Sequence, residues 1–239
     1  MPSQRKKLMF MAAFSVSLGT SILISAIMAT DSWVDAVVDC QNKSGDTFGQ
    51  MRLKYGLFDG LRTKLVVRSL LMMDYQRGDH KMIQKEVLEY LENAGTARVI
   101  HILVILFLVF GLLFSLLSAV VTFYNSISNP YENICGPLSI YACSSISCVS
   151  AFLAMVLFAA NTAANNLSTI LVRNSIKESL VTFKHKTNSY EYSFWLILLS
   201  LALCVTTIGI TYAYQHANYS TGREQERPTE NAPIDVLMY

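Results

Sequence analysis

Charge is what this sequence has least of. Asp, Glu, Lys and Arg make up 15% of its 239 residues, against about 25% in ordinary soluble domains. The shortage is concentrated in four runs, residues 8–30, 99–121, 138–160 and 194–214, which hold no Asp, Glu, Lys or Arg at all. That absence speaks against transporters, proton relays and voltage sensors, which rely on intramembrane charge. Metal chemistry has no foothold either. Cys143 and Cys148 stand close together with no His nearby, and His80 and His185 sit in separate loops without an evident nucleophile. No Gly-rich phosphate loop or nucleophile elbow is present. An enzyme is therefore not expected, and no cofactor or metal is implied. The 5 cysteines do not form a disulfide framework. Cys143, Cys148 and Cys204 fall inside apolar runs, Cys135 lies at a turn, and Cys40 is alone in a loop. A net charge of +2 is too small to suggest a nucleic-acid partner.

What the sequence has in abundance is apolar length: 52% of residues are hydrophobic. Each of the four runs reaches the roughly 20 residues that cross a bilayer. The expected fold is an all-α membrane protein, a bundle of four transmembrane helices running up, down, up and down. A lipid bilayer is its first partner. Residues 1–7 precede the first span and residues 31–98 form a large outer loop. Residues 122–137 are a hinge, residues 161–193 a smaller outer loop, and residues 215–239 a tail. The hinge reads TFYNSISNPYENICGP. Asn129-Pro130 and Gly136-Pro137 punctuate the chain, and Pro137 suits the first turn of a new helix.

Arg5, Lys6 and Lys7 place the start of the first span in the cytoplasm by the positive-inside rule. That run is too long for a cleavable signal core and reads as a retained span. With four spans both termini are then cytoplasmic. The overall count points the other way, since most of the 19 Lys and Arg fall in loops this orientation puts outside. The rule discounts loops as long as the first, but not the second.

Small residues recur every fourth position within three spans: Ser17, Ser21, Ser25 and Ala29; Gly111, Ser115 and Ala119; Cys143, Ser147 and Ala151. This spacing lines one helical face and lets backbones approach. The face serves packing within the bundle or, alternatively, a partner's helix or a homo-oligomer.

In the first loop Asn42-Lys43-Ser44 is an acceptor for N-glycosylation. In the second, Asn166-Leu167-Ser168 is another, close enough to a span for enzyme access to be poor. Trp33 sits where an interfacial aromatic belt belongs, and His101, near the outer end of its span, reads as an interfacial residue. From Asp79 to Asn93 a helix is expected, with Ile83, Val87, Leu88 and Leu91 as its stripe and Gly95 as its stop. Ile170, Ile176, Leu180 and Phe183 suggest a short amphipathic helix in the second loop or an extension of the third span. The tail is polar, with Pro228 and Pro233, and reads as unstructured. Leu237 and Tyr239 match the spacing that PDZ domains read in a strand-adding peptide. Cys135, at the mouth of the third span, is a candidate for S-palmitoylation or a free thiol.

The hinge TFYNSISNPYENICGP, the opening MPSQRKK, Tyr55-Gly56-Leu57-Phe58 and Tyr192-Ser193-Phe194-Trp195 together resemble the clarin family. The resemblance implies a four-pass protein of the claudin-like tetraspan group. Trp33 followed by Gly56-Leu57-Phe58 is similar to the claudin-type pattern of Trp, then Gly-Leu-Trp, then two cysteines. Phe58 replaces the second Trp, and the two cysteines are absent, which removes the loop disulfide and argues against a claudin-like sheet here. The family's association with sensory-cell membranes, cell contacts and actin-rich structures implies a non-enzymatic role at the plasma membrane. The chain would organise other membrane proteins laterally and link them to cortical scaffolds through its tail. The alternatives are a pore or channel auxiliary subunit, for which Arg52, Lys54, Arg62, Lys64 and Arg68 would supply a basic stretch, and a claudin-like cell-contact protein.

Overall fold

The structure is a computed structural model, described here for residues 2–41, 47–65, 87–92, 94–127, 137–175 and 182–225. Four long helices dominate it: α1 (Pro2–Ala29), α3 (Thr96–Ile127), α4 (Pro137–Ala164) and α6 (Tyr192–Gln225). Among the described residues these four are long and apolar enough to cross a membrane. They pack in a ring, α1 against α3 and α6, and α4 against α3 and α6. Pro137 opens α4, where its missing N–H leaves no bond unmade. At about 1.5 Å per residue, the 32 residues of α3 exceed a hydrocarbon core about 30 Å thick.

The interior and exterior of the ring differ as a membrane requires. Outward positions carry Leu106, Phe110, Leu113 and Leu117 on α3, and Val149, Phe152 and Val156 on α4, all exposed. Inward positions carry hydroxyls and small side chains: Ser17, Ser21, Ser115, Ser118, Ser144 and Ser147 are buried. In water this arrangement would be inverted. In lipid the apolar face meets acyl chains and the polar groups must find partners within the protein.

The two longer loops are not helical linkers. Strands β1 (Val34–Gln41), β2 (Thr47–Tyr55), β3 (Gly60–Leu65) and β4 (Thr182–Tyr190) form a four-stranded antiparallel sheet in the order β3-β2-β1-β4. The sheet thus joins both loops over one end of the bundle, and it corrects the expectation drawn from the missing cysteines. Backbone ladders and a buried inner face hold it together without a disulfide. Along β1 the inner face is Val34, Ala36 and Val38, and along β2 it is Leu53 and Tyr55, all buried. These pack on Phe158, Phe194 and Ile197 at the helix ends.

Three further expectations change. The second loop begins with α5 (Leu167–Ser175), but Phe183 lies on β4 rather than on a helix, because β1 takes that segment as a partner. Ile176 and Leu180 lie outside the described residues. In the first loop the described part of the expected helix is the turn α2 (Val87–Tyr90), while Asp79 and Ile83 lie outside the described residues. Gly95 follows α2 with φ +40, a left-handed conformation that glycine adopts without strain. Finally, α6 continues to Gln225, so the first part of the expected tail is helical.

Candidate functional site

The residues of the Trp and Gly-Leu-Phe pattern meet where the sheet is clasped to the bundle. The chain leaves α1 at Ala29 and turns straight into β1, which folds Trp33 back over the helix end. Trp33 is 0% exposed, so it is not a belt residue. Its indole Nε1–H donates to the Ile27 carbonyl at 3.0 Å, and its ring meets Phe158 edge-on at 4.8 Å. Its backbone is held on both sides: Trp33 N–H donates to Tyr55 O at 3.1 Å, and Glu191 N–H donates to Trp33 O at 3.0 Å. Interfacial aromatics are present, but they are Tyr192 and Trp195 at the head of α6, both exposed.

The turn between β2 and β3 presses on two helices. A Cβ on Gly56 would come within 2.5 Å of Thr30 O and 2.7 Å of the Asp31 Cα. Only glycine fits there, because main chain, not a movable side chain, is the obstacle. Leu57 next to it is buried, and its carbonyl accepts a hydrogen bond from His101 on α3 at 2.8 Å. Phe58 points the other way and is 38% exposed. Its carbonyl accepts from Val87 N–H at 2.7 Å, which ties α2 to the same turn. His101 is therefore an interior residue, not an interfacial one, and it is 0% exposed.

A polar relay crosses the layer between sheet and helices. The Tyr55 hydroxyl and Ser168 Oγ are 3.0 Å apart, and Ser168 donates to Asn188 Oδ1 at 2.8 Å. Since Ser168 spends its proton on Asn188, Tyr55 must be the donor to Ser168. Burial pushes the Tyr55 phenol up to about 12. On the outer face Asp35 and Arg52 form an ion pair, and Lys54 lies 3.7 Å from Glu191. The hydrogen bond to Asp35 raises the Arg52 guanidinium further. Two charges of the supposed basic stretch are thus matched by acids. Arg62 and Lys64 belong to β3, and Arg68 lies outside the described residues.

Within the bundle the small-residue faces turn largely inward. Ser17 Oγ lies 3.3 Å from Ser118 Oγ and 3.5 Å from Thr207 Oγ1. Ser118 Oγ is 3.0 Å from Ser144 Oγ, so one layer of hydroxyls links all four long helices. Ser21 and Ser115 pair at 2.8 Å, and Ser147 donates to the Gly111 carbonyl at 2.8 Å. Ser25 and Ala29 are the exceptions and face outward.

Of the modification and partner residues, Asn166 alone is described. It is exposed, with φ +48, and its carbonyl accepts from Thr169 N–H at 2.9 Å to start α5. Asn42, Cys135, Leu237 and Tyr239 lie outside the described residues. Among the described residues no group of three or more His, Cys, Asp or Glu is placed to hold a metal ion.

A ring of four apolar helices closed at one end by a small sheet defines a four-pass membrane protein. Comparison with known proteins narrows the class. The family model described as Clarin-2-like matches residues 5–210. Human Clarin-3 is 38% identical over 239 residues, and mouse Clarin-3 is 37% identical, each match spanning 100% of both chains. Human Clarin-1 is 26% identical over an alignment of 250 residues that also spans 100% of both. The chain belongs to the clarin family.

Proposed function

We propose that this clarin is a non-enzymatic organiser of other membrane proteins at the plasma membrane, with both termini cytoplasmic and the sheet outside. The observation that carries this reading is the distribution of chemistry. The bundle interior spends its hydroxyls on one another, as in the Ser17, Ser118 and Ser144 layer. The surfaces left to work are the lipid-facing helices, which partner helices can join, and the outer face of the sheet, which ectodomains can join. A junction between the two, built on Trp33, Gly56 and His101, sets how the sheet sits on the bundle. The tail adds a route to cortical scaffolds through Leu237 and Tyr239.

The pore reading is weakened by the pairing of Arg52 with Asp35 and Lys54 with Glu191, which leaves less basic charge to attract an anion. Two measurements test the choice. Proximity labelling in a polarised epithelial line should give a reproducible set of membrane partners, and a chain ending at Val236 should lose the scaffold proteins while keeping the membrane ones. If the labelled set equals that of an unrelated four-pass control, the organiser reading falls. Purified protein in planar bilayers should leave conductance unchanged, and a conductance that vanishes with Arg52→Gln and Lys54→Gln would establish the pore instead.

A further inference from the structure

We propose that His101 is a proton-operated latch between the sheet and the bundle, closed while the imidazole is neutral and opened when it takes up a proton. This does not depend on the recruitment of partners, but it rests on the organiser reading's placement of the sheet outside, where the pH can fall.

The argument begins with the ring's two nitrogens. Nε2 lies 2.8 Å from the Leu57 carbonyl oxygen. A carbonyl only accepts, so Nε2 carries the proton and the neutral ring holds its lone pair on Nδ1. Nδ1 is buried and has no hydrogen-bond partner among the described residues. An imidazolium has two N–H donors, and this site supplies one acceptor. The second N–H and the charge would be left in a place that is 0% exposed. A buried donor without a partner is unfavourable, and more so when charged. Water must reach the ring before the charged form can be accommodated.

Among the described residues no neighbouring charge offers an alternative. From the turn come the Leu57 carbonyl and the exposed Asp59; from the preceding strand comes the Tyr55 hydroxyl, engaged with Ser168. The α1–β1 junction brings Asp31, which is exposed, and Asp35, which is paired with Arg52. α4 brings Phe158, with its ring 6.4 Å away, and Asn161, which donates to Ala97 O. Glu89 and Glu92, on and after α2, are exposed, and Glu191, before α6, faces Lys54. The ring's own helix adds Arg98, a like charge to an imidazolium.

The direction of opening follows from the packing. Gly56 is jammed against the end of α1, while Leu57 is tied to α3 by the His101 bond. Lifting the turn from α3 admits water to the ring, and β2, continuous with the turn, goes with it. The open state therefore binds the proton and the closed state excludes it. Below the ordinary imidazole range, about 6.5, the ratio of closed to open should fall about tenfold per pH unit.

Hydrogen exchange of the full chain in lipid nanodiscs, corrected for the intrinsic pH dependence, tests this between pH 7.5 and 5.0. Amides of β1 and β2 should exchange about tenfold faster for each unit below pH 6.5, while those of α4 near Ala151 stay constant. The triple variant His80→Gln, His185→Gln, His216→Gln leaves His101 as the one remaining histidine of the 4 in the chain. It should keep the full response. His101→Gln, which retains a donor but does not titrate, should abolish it. A flat wild-type profile overturns the latch. So does loss of the response in the triple variant, which needs no change at the site itself, or its survival in His101→Gln.

Discussion

At the scale of single residues, the junction is decided by atoms that cannot move. Gly56→Ala places a methyl group 2.5 Å from Thr30 O, and the obstacle is backbone. Overpacking of this kind costs about 1–3 kcal/mol, and the upper end applies where no side chain can rotate away. Trp33→Phe should cost somewhat less, about 2 kcal/mol, the hydrogen bond to Ile27 O together with the packing lost with part of the buried indole. Thermal unfolding in detergent should rank the two in that order, and the reverse ranking would mean that the turn relaxes away from α1. Tyr55 gives a pH test. Its folded pKa, about 12, lies above the ordinary value of about 10 for an exposed phenol. The neutral phenol is therefore the stabilising form, and its contribution is complete below pH 10. It is lost as pH rises through 12. A Tyr55→Phe variant should be less stable at neutral pH but should decline less steeply between pH 10 and pH 12, which melting curves of the two proteins across that window would reveal.

At the scale of elements, two kinds of order meet. The spans were legible because uninterrupted apolar length has few other uses, and Pro137 marked where α4 begins. The sheet was harder to see. β1 does carry the alternating signal, with Val34, Ala36 and Val38 alternating with Asp35, Val37 and Asp39, and β2 ends Arg52, Leu53, Lys54, Tyr55 in the same alternation. The missing cysteines point the other way, but a disulfide is not what holds this sheet. β4 offers no such signal, since TFKHKTNSY is largely polar and becomes a strand because β1 presents a free edge. The His101 and Leu57 pairing spans 44 positions, and nothing local announces it. The small-residue faces were visible, whereas their inward direction required the neighbouring helices. Their energetic role can be separated from their hydrogen bonds. Interhelical hydroxyl bonds in membranes average about 0.6 kcal/mol, so Ser118→Ala, which breaks the links to Ser17 and Ser144, should cost about 1 kcal/mol. Ser118→Leu should cost about 2–3 kcal/mol, because close helix approach, not bonding, is then violated. Equal losses in the two variants, measured by unfolding in mixed micelles, would assign the layer to hydrogen bonding instead.

At the scale of the whole molecule, the first-span charges favour an orientation that the count of Lys and Arg opposes, and the sheet requires only that both loops share one side. The sheet brings the two outer loops to one end of the bundle, so both must lie on one side of the membrane. If that side is outside, Asn42 is in the compartment where glycans are added, and so is Asn166. The two should nevertheless differ. Asn166 stands two residues beyond the end of α4, against the membrane, where the transferase reaches poorly. Its left-handed backbone gives asparagine another reason to be there, because Asn tolerates that conformation better than most residues. The hydroxyl of its sequon, on Ser168, is buried between Tyr55 and Asn188. Expression in mammalian cells followed by glycosidase digestion should then show one glycan, removed by Asn42→Gln and untouched by Asn166→Gln. Asn166→Gly should preserve stability, while Asn166→Val should lower it, since a β-branched residue is strained at φ +48. A chain unglycosylated at Asn42 but modified at Asn218, in the acceptor sequence Asn218-Tyr219-Ser220 beyond the last span, would place the termini outside and reverse the molecule. The latch at His101 would then face the cytoplasm, where the pH hardly falls, and it would lose its means of operation.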